Sequence, residues 1–296
     1  MSEFQILKED RACYEYAEKN PGDYDLPEEY ENYEHVPKGK LIEREYKKSI
    51  VYPGTARKYW IYVPDQYTGK EPAALMVFLD GDQEYIRNAN VPNMLDNMIF
   101  REELPVMIGL FIAPGDKGPG YPIYGGEDNR SVEYDSTNGV FAGFLEKDIF
   151  KEVKKEFFIS EDPELHGICG MSSGGQAAFS AAWNRPDLFR KVISHCGSFT
   201  AIRGGQEIPF MVRKEGKKPI RVFLQTGEHD LNIVFGDWKK ANETLASALK
   251  YKGYDYRFVV GTGSHSVRHG ASLLPKTMRW LWNGTDNKEQ WFEEVR

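Results

Sequence analysis

Three residues far apart in the chain have types and settings suited to acyl transfer. They are Ser172 in Gly170-Met171-Ser172-Ser173-Gly174, Asp230 in Thr226-Gly227-Glu228-His229-Asp230, and His265 in Gly261-Thr262-Gly263-Ser264-His265. The first is a G-x-S-x-G pattern between an apolar run, Leu165–Gly170, and a small-residue segment of helical character. In a strand-turn-helix setting such a serine sits on a sharp, strained turn that pushes its Oγ clear of the sheet. Glycines two residues before and after it are expected because a Cβ there would collide with the neighbouring strand or helix. Ser173 competes for the role, but Met171 lies two residues before it and is too bulky for the tight side. The plainer alternative is a glycine-rich turn whose serine caps the helix.

A serine nucleophile needs a base, and the base needs an orienting acid. Asp230 closes a turn after the apolar run Ile220–Gln225, at a strand end where the catalytic groups of parallel sheets collect. Glu228 and Asp237 stand in reserve, and a capping role is the alternative for Asp230. His265 lies nearest the end of the run Tyr256–Val260 and is the preferred base; His269 is the second choice, better suited to lining a pocket. The chain order Ser, Asp, His is that of hydrolases built on an α/β sheet. His265 and His269 also form an H-x₃-H pair, but the glutamate of H-E-x-x-H is missing and a glycine-rich loop holds metal ligands poorly. Neither a metal nor another cofactor is expected.

Two backbone N–H groups are expected to form an oxyanion hole. One is that of Ser173 at a helix start, where unpaired amides and the helix dipole favour negative charge. The other is that of Asp82, with Gly81 next, in Asp80-Gly81-Asp82 after the run Ala74–Leu79. Substrate-facing candidates are Tyr121 and Tyr124 in the long loop Pro114–Arg130, Arg203 after the strand that follows the elbow, and Trp238 at the mouth. Arg130 and Glu133 are expected to form an internal pair without a catalytic role.

These groups need a scaffold, and the hydrophobic pattern supplies one. Leu41–Tyr52 and Arg57–Pro64 are predicted as an antiparallel hairpin around Pro53-Gly54. Strands are predicted at Ala74–Leu79, Val106–Ile112, Leu165–Gly170, Lys191–Cys196, Ile220–Gln225 and Tyr256–Val260. Between them fall helices near Asn138–Glu156, Gly174–Asn184, Asp237–Tyr251 and Ala271–Trp282. Buried strands alternating with helices imply a mostly parallel sheet covered on both faces. A single α/β domain, residues 37–296, is expected behind an N-terminal extension, residues 1–36.

The 296 residues carry a formal net charge of -7. Eleven acidic residues against Lys8, Arg11 and Lys19 put -8 of it in the first 35 residues, leaving +1 for the rest. No basic footprint for nucleic acid or an anionic membrane is present. The extension, with Phe4, Tyr14, Tyr16, Tyr24, Tyr30 and Tyr33, lacks sustained periodicity and is expected to wrap the body. Three cysteines, Cys13, Cys169 and Cys196, with no C-x-x-C pair indicate neither a disulfide framework nor a zinc knuckle. With no signal-peptide pattern at Met1, a cytoplasmic location is the expectation, a trimmed export signal aside. The choice between monomer and homodimer is left open.

Several of these segments together resemble a known family: FLDG at Phe78–Gly81, NRSVEYDS at Asn129–Ser136, GMSSGG, the G-x-x-D turn at Gly227–Asp230, and G-S-H in the glycine-rich loop. The likeness, over Pro37–Trp282, is to the Putative esterase family, which includes esterase D, the feruloyl and acetyl-xylan esterases of carbohydrate esterase family one, and the enterochelin esterases. It is nearest the enterochelin-esterase branch, where Leu-Asp-Gly follows the oxyanion strand. The resemblance implies an α/β-hydrolase fold without a large lid and a triad at Ser172, Asp230 and His265. It further implies hydrolysis of small acyl or hydroxycinnamoyl esters of carbohydrates, with siderophore lactones or acyl transfer as alternatives. The family often has a tryptophan shortly after the catalytic histidine; here His269 stands in that neighbourhood, which leaves pocket shape open.

Overall fold

The computed structural model describes residues 8–117 and 129–284. Ten strands are found among them: β1 (Lys40–Tyr46), β2 (Arg57–Val63), β3 (Ala74–Leu79), β4 (Met107–Ile112), β5 (His166–Met171), β6 (Lys191–His195), β7 (Arg221–His229), β8 (Asn232–Ile233), β9 (Gly236–Asp237) and β10 (Tyr256–Ser264). Eight form one sheet in the order β1-β2-β4-β3-β5-β6-β7-β10, with β8 and β9 as a separate small ladder. β1 and β2 pair antiparallel, as do β2 and β4; the remaining neighbours are parallel. β3 and β5 are buried along their whole length, as strands covered by helices on both faces must be. Separate apolar clusters lie on the two faces, one including Phe144, Phe179 and Leu249, the other Met94, Phe111 and Leu274. This is the mostly parallel sheet covered on both faces that the hydrophobic pattern implies, in the α/β-hydrolase-type architecture that the family resemblance implies. Among the described residues no helix is long and apolar enough to cross a membrane.

The first hairpin is looser than its sequence suggests. β1 stops at Tyr46 because the next segment turns to the Asp148 carboxylate, which accepts from Ser49 Oγ at 2.5 Å and Ile50 N–H at 3.2 Å. At the far edge, β7 and β10 run beyond their predicted ends. Gly227 and Gly263 make this extension feasible, since a Cβ on Gly227 would lie 2.3 Å from Gly263 O. Glycine there serves close strand approach rather than loop freedom. The last helix consequently begins early, at Val267.

The N-terminal extension contains a helix, Lys8–Lys19, that its weak periodicity did not predict. Tertiary contacts make up for the weak pattern. Asp10 Oδ1 accepts from Val234 N–H at 3.0 Å, and the Asn20 and Ala17 carbonyls accept from Ser264 Oγ at 2.6 and 2.8 Å. Tyr24 stacks on His269 with ring centroids 4.1 Å apart, and its hydroxyl accepts from Thr262 N–H at 2.6 Å. Residues 8–36 thus strap the loops that lead to and from Asp230 and His265.

Candidate active site

β5 ends in Met171, and the helix Ser173–Asn184 begins directly after Ser172. Ser172 itself has φ 60° and ψ -123°, a conformation costly for a residue with a Cβ and found where surrounding structure enforces it. The enforcement is visible in its hydrogen bonds: Ser172 N–H donates to His195 O at 2.9 Å, and Ser172 O accepts from Ser198 N–H at 3.0 Å. The flanking glycines are unequal. A Cβ on Gly170 would lie 2.3 Å from the Gly174 backbone, whereas one on Gly174 would meet nothing nearer than Asp80 Oδ2 at 3.1 Å. The tighter downstream position is Gly175, whose Cβ would lie 2.6 Å from Ser194 Oγ. Ser173 is buried and its hydroxyl faces the Asp135 carboxyl, so it is unavailable at the cleft.

Asp230 and His265 meet across the ends of β7 and β10. His265 Nδ1 lies 2.6 Å from Asp230 Oδ1, with the carboxylate wholly buried and the imidazole 12% exposed. Leu231 N–H donates to Oδ1 at 2.7 Å and Thr226 Oγ1 to Oδ2 at 2.5 Å. Burial alone would raise the Asp230 carboxyl; the His265 ring, the Thr226 hydroxyl and the Leu231 amide outweigh it and hold the group below the usual carboxylate range. An ionised Asp230 fixes the tautomer with the proton on Nδ1, leaving Nε2 as an acceptor. The reserve acids are engaged elsewhere: Glu228 pairs with Lys239 at 2.6 Å, and Asp237 caps a helix through Lys240 N–H at 3.0 Å.

Ser172 and His265 line one cleft of about 440 Å³, together with Asp80, Asp82, Gln83, Glu84, Pro114, Arg130 and Met171. Among the described residues, the side-chain partner of Ser172 Oγ is Ser198 Oγ, at 3.2 Å. Ser173 N–H opens one helix and Asp82 N–H lies in the first turn of another, a wide π-type helix at Gly81–Asn88. Amides in a helix's first turn have no intrahelical acceptor, so both are suited to bind an anion. Gly81 is required for packing, since a Cβ there would fall 2.4 Å from Phe111 Cβ. A larger cavity of about 560 Å³, lined by Lys191, Arg221 and Trp282, opens at the opposite ends of the strands. Ligand sites of parallel sheets form at the carboxyl ends, which favours the smaller cleft.

The other expected contacts are redistributed. Tyr121 and Tyr124 lie outside the described residues. Arg203 is exposed and bonded to Ser131 Oγ at 3.2 Å, away from the cleft. Trp238 is buried behind the site instead of at its mouth, with its indole edge-on to His265 at 6.1 Å. His269 is a buried helical residue bonded to Gln225 Nε2 at 3.1 Å, where burial drives its pKa down to about 4. Arg130 and Glu133 do pair internally, but not with each other. Glu133 takes the buried Arg57 at 2.7 Å, and Arg130 takes Asp80 at 2.7 Å, on the wall of the cleft. The two histidines of the H-x₃-H pair take different partners, His265 facing Asp230 and His269 turned to Tyr24. Among the described residues, Cys196, Asp230 and His265 bring ligating atoms within 4.8 Å of one another, with Asp230 and His265 already bonded to each other. Sequence reasoning missed Arg130 as a cleft residue and Ser198 altogether; the one signal for Ser198 is its place just after the strand adjacent to the elbow.

Comparison with known proteins identifies the family and the fold. Residues 50–290 match the family model described as Putative esterase. The chain is 24% identical over 249 residues to an Iron(III) enterobactin esterase of Dickeya dadantii, which aligns over 78% of this chain and 52% of that protein. It therefore spans about half the length of that relative. The enterobactin esterase of Shigella flexneri superposes with a TM-score of 0.69 at 21% identity, over 84% of this chain and 60% of that one. The CE1 ferulic acid esterase of Anaeromyces mucronatus gives 0.68 at 14% identity, over 89% and 100%. At such identities the structural likeness establishes the fold.

Proposed function

The chain belongs to the Putative esterase family, and from that premise we propose that it is a serine carboxylester hydrolase with Ser172 as nucleophile, His265 as base and Asp230 as the orienting acid. The observation that carries this reading is the 2.6 Å Asp230–His265 contact opening onto the same cleft as a serine at positive φ. Ser172 Oγ attacks the acyl carbon while His265 Nε2 takes its proton; the N–H groups of Ser173 and Asp82 receive the developing oxyanion. His265 then returns the proton to the departing alcohol, and a water activated the same way cleaves the acyl-enzyme. The Asp82 side chain leans towards Arg87, at 3.8 Å, so only its amide serves the oxyanion.

For the substrate we propose small acyl or hydroxycinnamoyl esters of carbohydrates. Asp80, Asp82 and Glu84 against Arg130 give the described lining a net charge of -2. Carboxylates accept hydrogen bonds from sugar hydroxyls, and they repel an anionic ferric catecholate. Burial, with the Asp80 charge beside it, raises the Glu84 carboxyl above its ordinary value. The test is a hydrolysis panel of methyl ferulate, acetylated xylan oligomers and an enterobactin-type lactone, with p-nitrophenyl acetate to detect an acyl-enzyme burst. Turnover of any ester that survives in Ser172→Ala overturns the nucleophile; lactone cleavage without activity on the carbohydrate esters overturns the substrate class.

A further inference from the structure

The hydroxyl nearest the proposed nucleophile belongs to Ser198, and its surroundings determine which way its proton points. Trp238 Nε1 lies 3.1 Å from Ser198 Oγ, and an indole N–H can only donate. Ser198 Oγ must therefore accept there. Among the described residues, the remaining partner of that hydroxyl is Ser172 Oγ at 3.2 Å, which is therefore the acceptor available to the Ser198 proton. Both residues of this relay are immobile. Ser198 is completely buried and Trp238 is 1% exposed, and Asn242 Nδ2 ties the helix that carries Trp238 to Gly197 O at 2.8 Å. A backbone bond from Ser198 N–H to Ser172 O holds the two serines in register.

We propose that Ser198 is a positioning residue for the nucleophile: its hydroxyl, fixed by the Trp238 indole, donates to Ser172 Oγ and keeps the Ser172 proton free for His265. This rests on the hydrolase reading above. With one of its two lone pairs accepting from Ser198, Ser172 Oγ keeps the other for the acyl carbon and its own O–H to donate to the base in the cleft, His265 Nε2. As the proton passes to Nε2 and the Oγ–acyl bond forms, the Ser198 hydrogen bond opposes the charge that builds on Oγ. Ser198 keeps its own proton throughout, so no proton is gained or lost by the relay. Trp238 touches both partners, since its ring edge also packs against His265. The same side chain thereby bridges Ser198 and His265.

The test measures the acylation burst with p-nitrophenyl acetate, KM and the thermal midpoint on the full chain. Ser198→Ala is expected to slow acylation about tenfold, the worth of one buried hydrogen bond, with KM changed less than about twofold. Ser198→Thr, which keeps the hydroxyl, is expected to recover most of the rate. Trp238→Phe keeps a ring against His265 but loses the N–H; it is expected to slow acylation several-fold alone and to add little in the Ser198→Ala background. Acylation at the wild-type rate in Ser198→Ala overturns the proposal. So does a matching loss in Ser198→Thr accompanied by a falling thermal midpoint, which marks a packing role, and so does full additivity of Trp238→Phe with Ser198→Ala. Ser172→Ala separates the two levels: if it stays active the hydrolase reading itself fails, and if it is inactive while Ser198→Ala is unimpaired only the positioning role fails.

Discussion

His265 and Ser172 face the same cleft but are held in different ways. The His265 side is tied down from several directions: a buried carboxylate at 2.6 Å, an edge-on indole, a glycine-rich ladder between β7 and β10, and the N-terminal strap bonded to Ser264 one residue away. The Ser172 side stores strain instead, at a positive-φ serine between glycines, with its hydroxyl resting on Ser198. A base needs a fixed tautomer and direction, which hydrogen bonds supply. A nucleophile gains from a rigid backbone that holds its oxygen out into the cleft.

That contrast can be broken most forcefully on the tied-down side. Asp230→Asn leaves the geometry in place but removes the charge that selects the Nδ1-protonated ring, and kcat is expected to fall about 10⁴-fold. A loss below tenfold in steady-state hydrolysis refutes the idea that the base is the constrained partner. On the strained side the expected signature is stability. Gly170→Ala forces a Cβ against the Gly174 backbone and is expected to cost about 3 kcal/mol in urea unfolding, with Gly174→Ala costing about 1 kcal/mol. Equal costs in the two variants dissolve the asymmetry around the elbow.

Acid sensitivity probes the packing beneath both sides. Burial holds His195 down to about 3, with the charge of His269 adding to it, and burial holds His269 down to about 4. The unfolded chain protonates these rings near pH 6.5, so lowering the pH feeds protons to the unfolded state first and stability falls from about 6.5 down to about 4 for His269 and about 3 for His195. Above pH 7 their contribution is flat. Urea midpoints across this range check the sign, and His269→Gln is expected to flatten part of the slope. The smallest effect belongs to the strap: Tyr24→Phe removes the acceptor of Thr262 N–H but keeps the stack on His269. About a threefold loss in kcat with unchanged KM is expected; a KM effect instead places the strap over the substrate.

Local chemistry was the legible part. G-x-S-x-G, the strand ends before Asp230 and His265, and the alternation of apolar runs with helical segments each lie within a few residues, where period and steric need can be read directly. The Asp80–Arg130 pair spans fifty positions and the Trp238–Ser198 bond forty, and no spacing rule joins them. Arg203 and His269 show the converse. Both are read from the sequence as facing the substrate, yet one points to Ser131 and the other is buried under Tyr24. The extension was misread as irregular because its helix is stabilised by what it packs on, a contribution absent from its own periodicity.

The sequence by itself determined the sheet, the elbow and the order of the three chemical groups, because backbone geometry and the burial of apolar runs act over short distances. Tertiary structure alone decided which carboxylates line the cleft, what the nucleophile rests on and what clamps the base. Those contacts join segments whose meeting depends on how the strands are ordered and how the helices pack over them, and side-chain hydrogen bonds form only once that packing has removed the competing water.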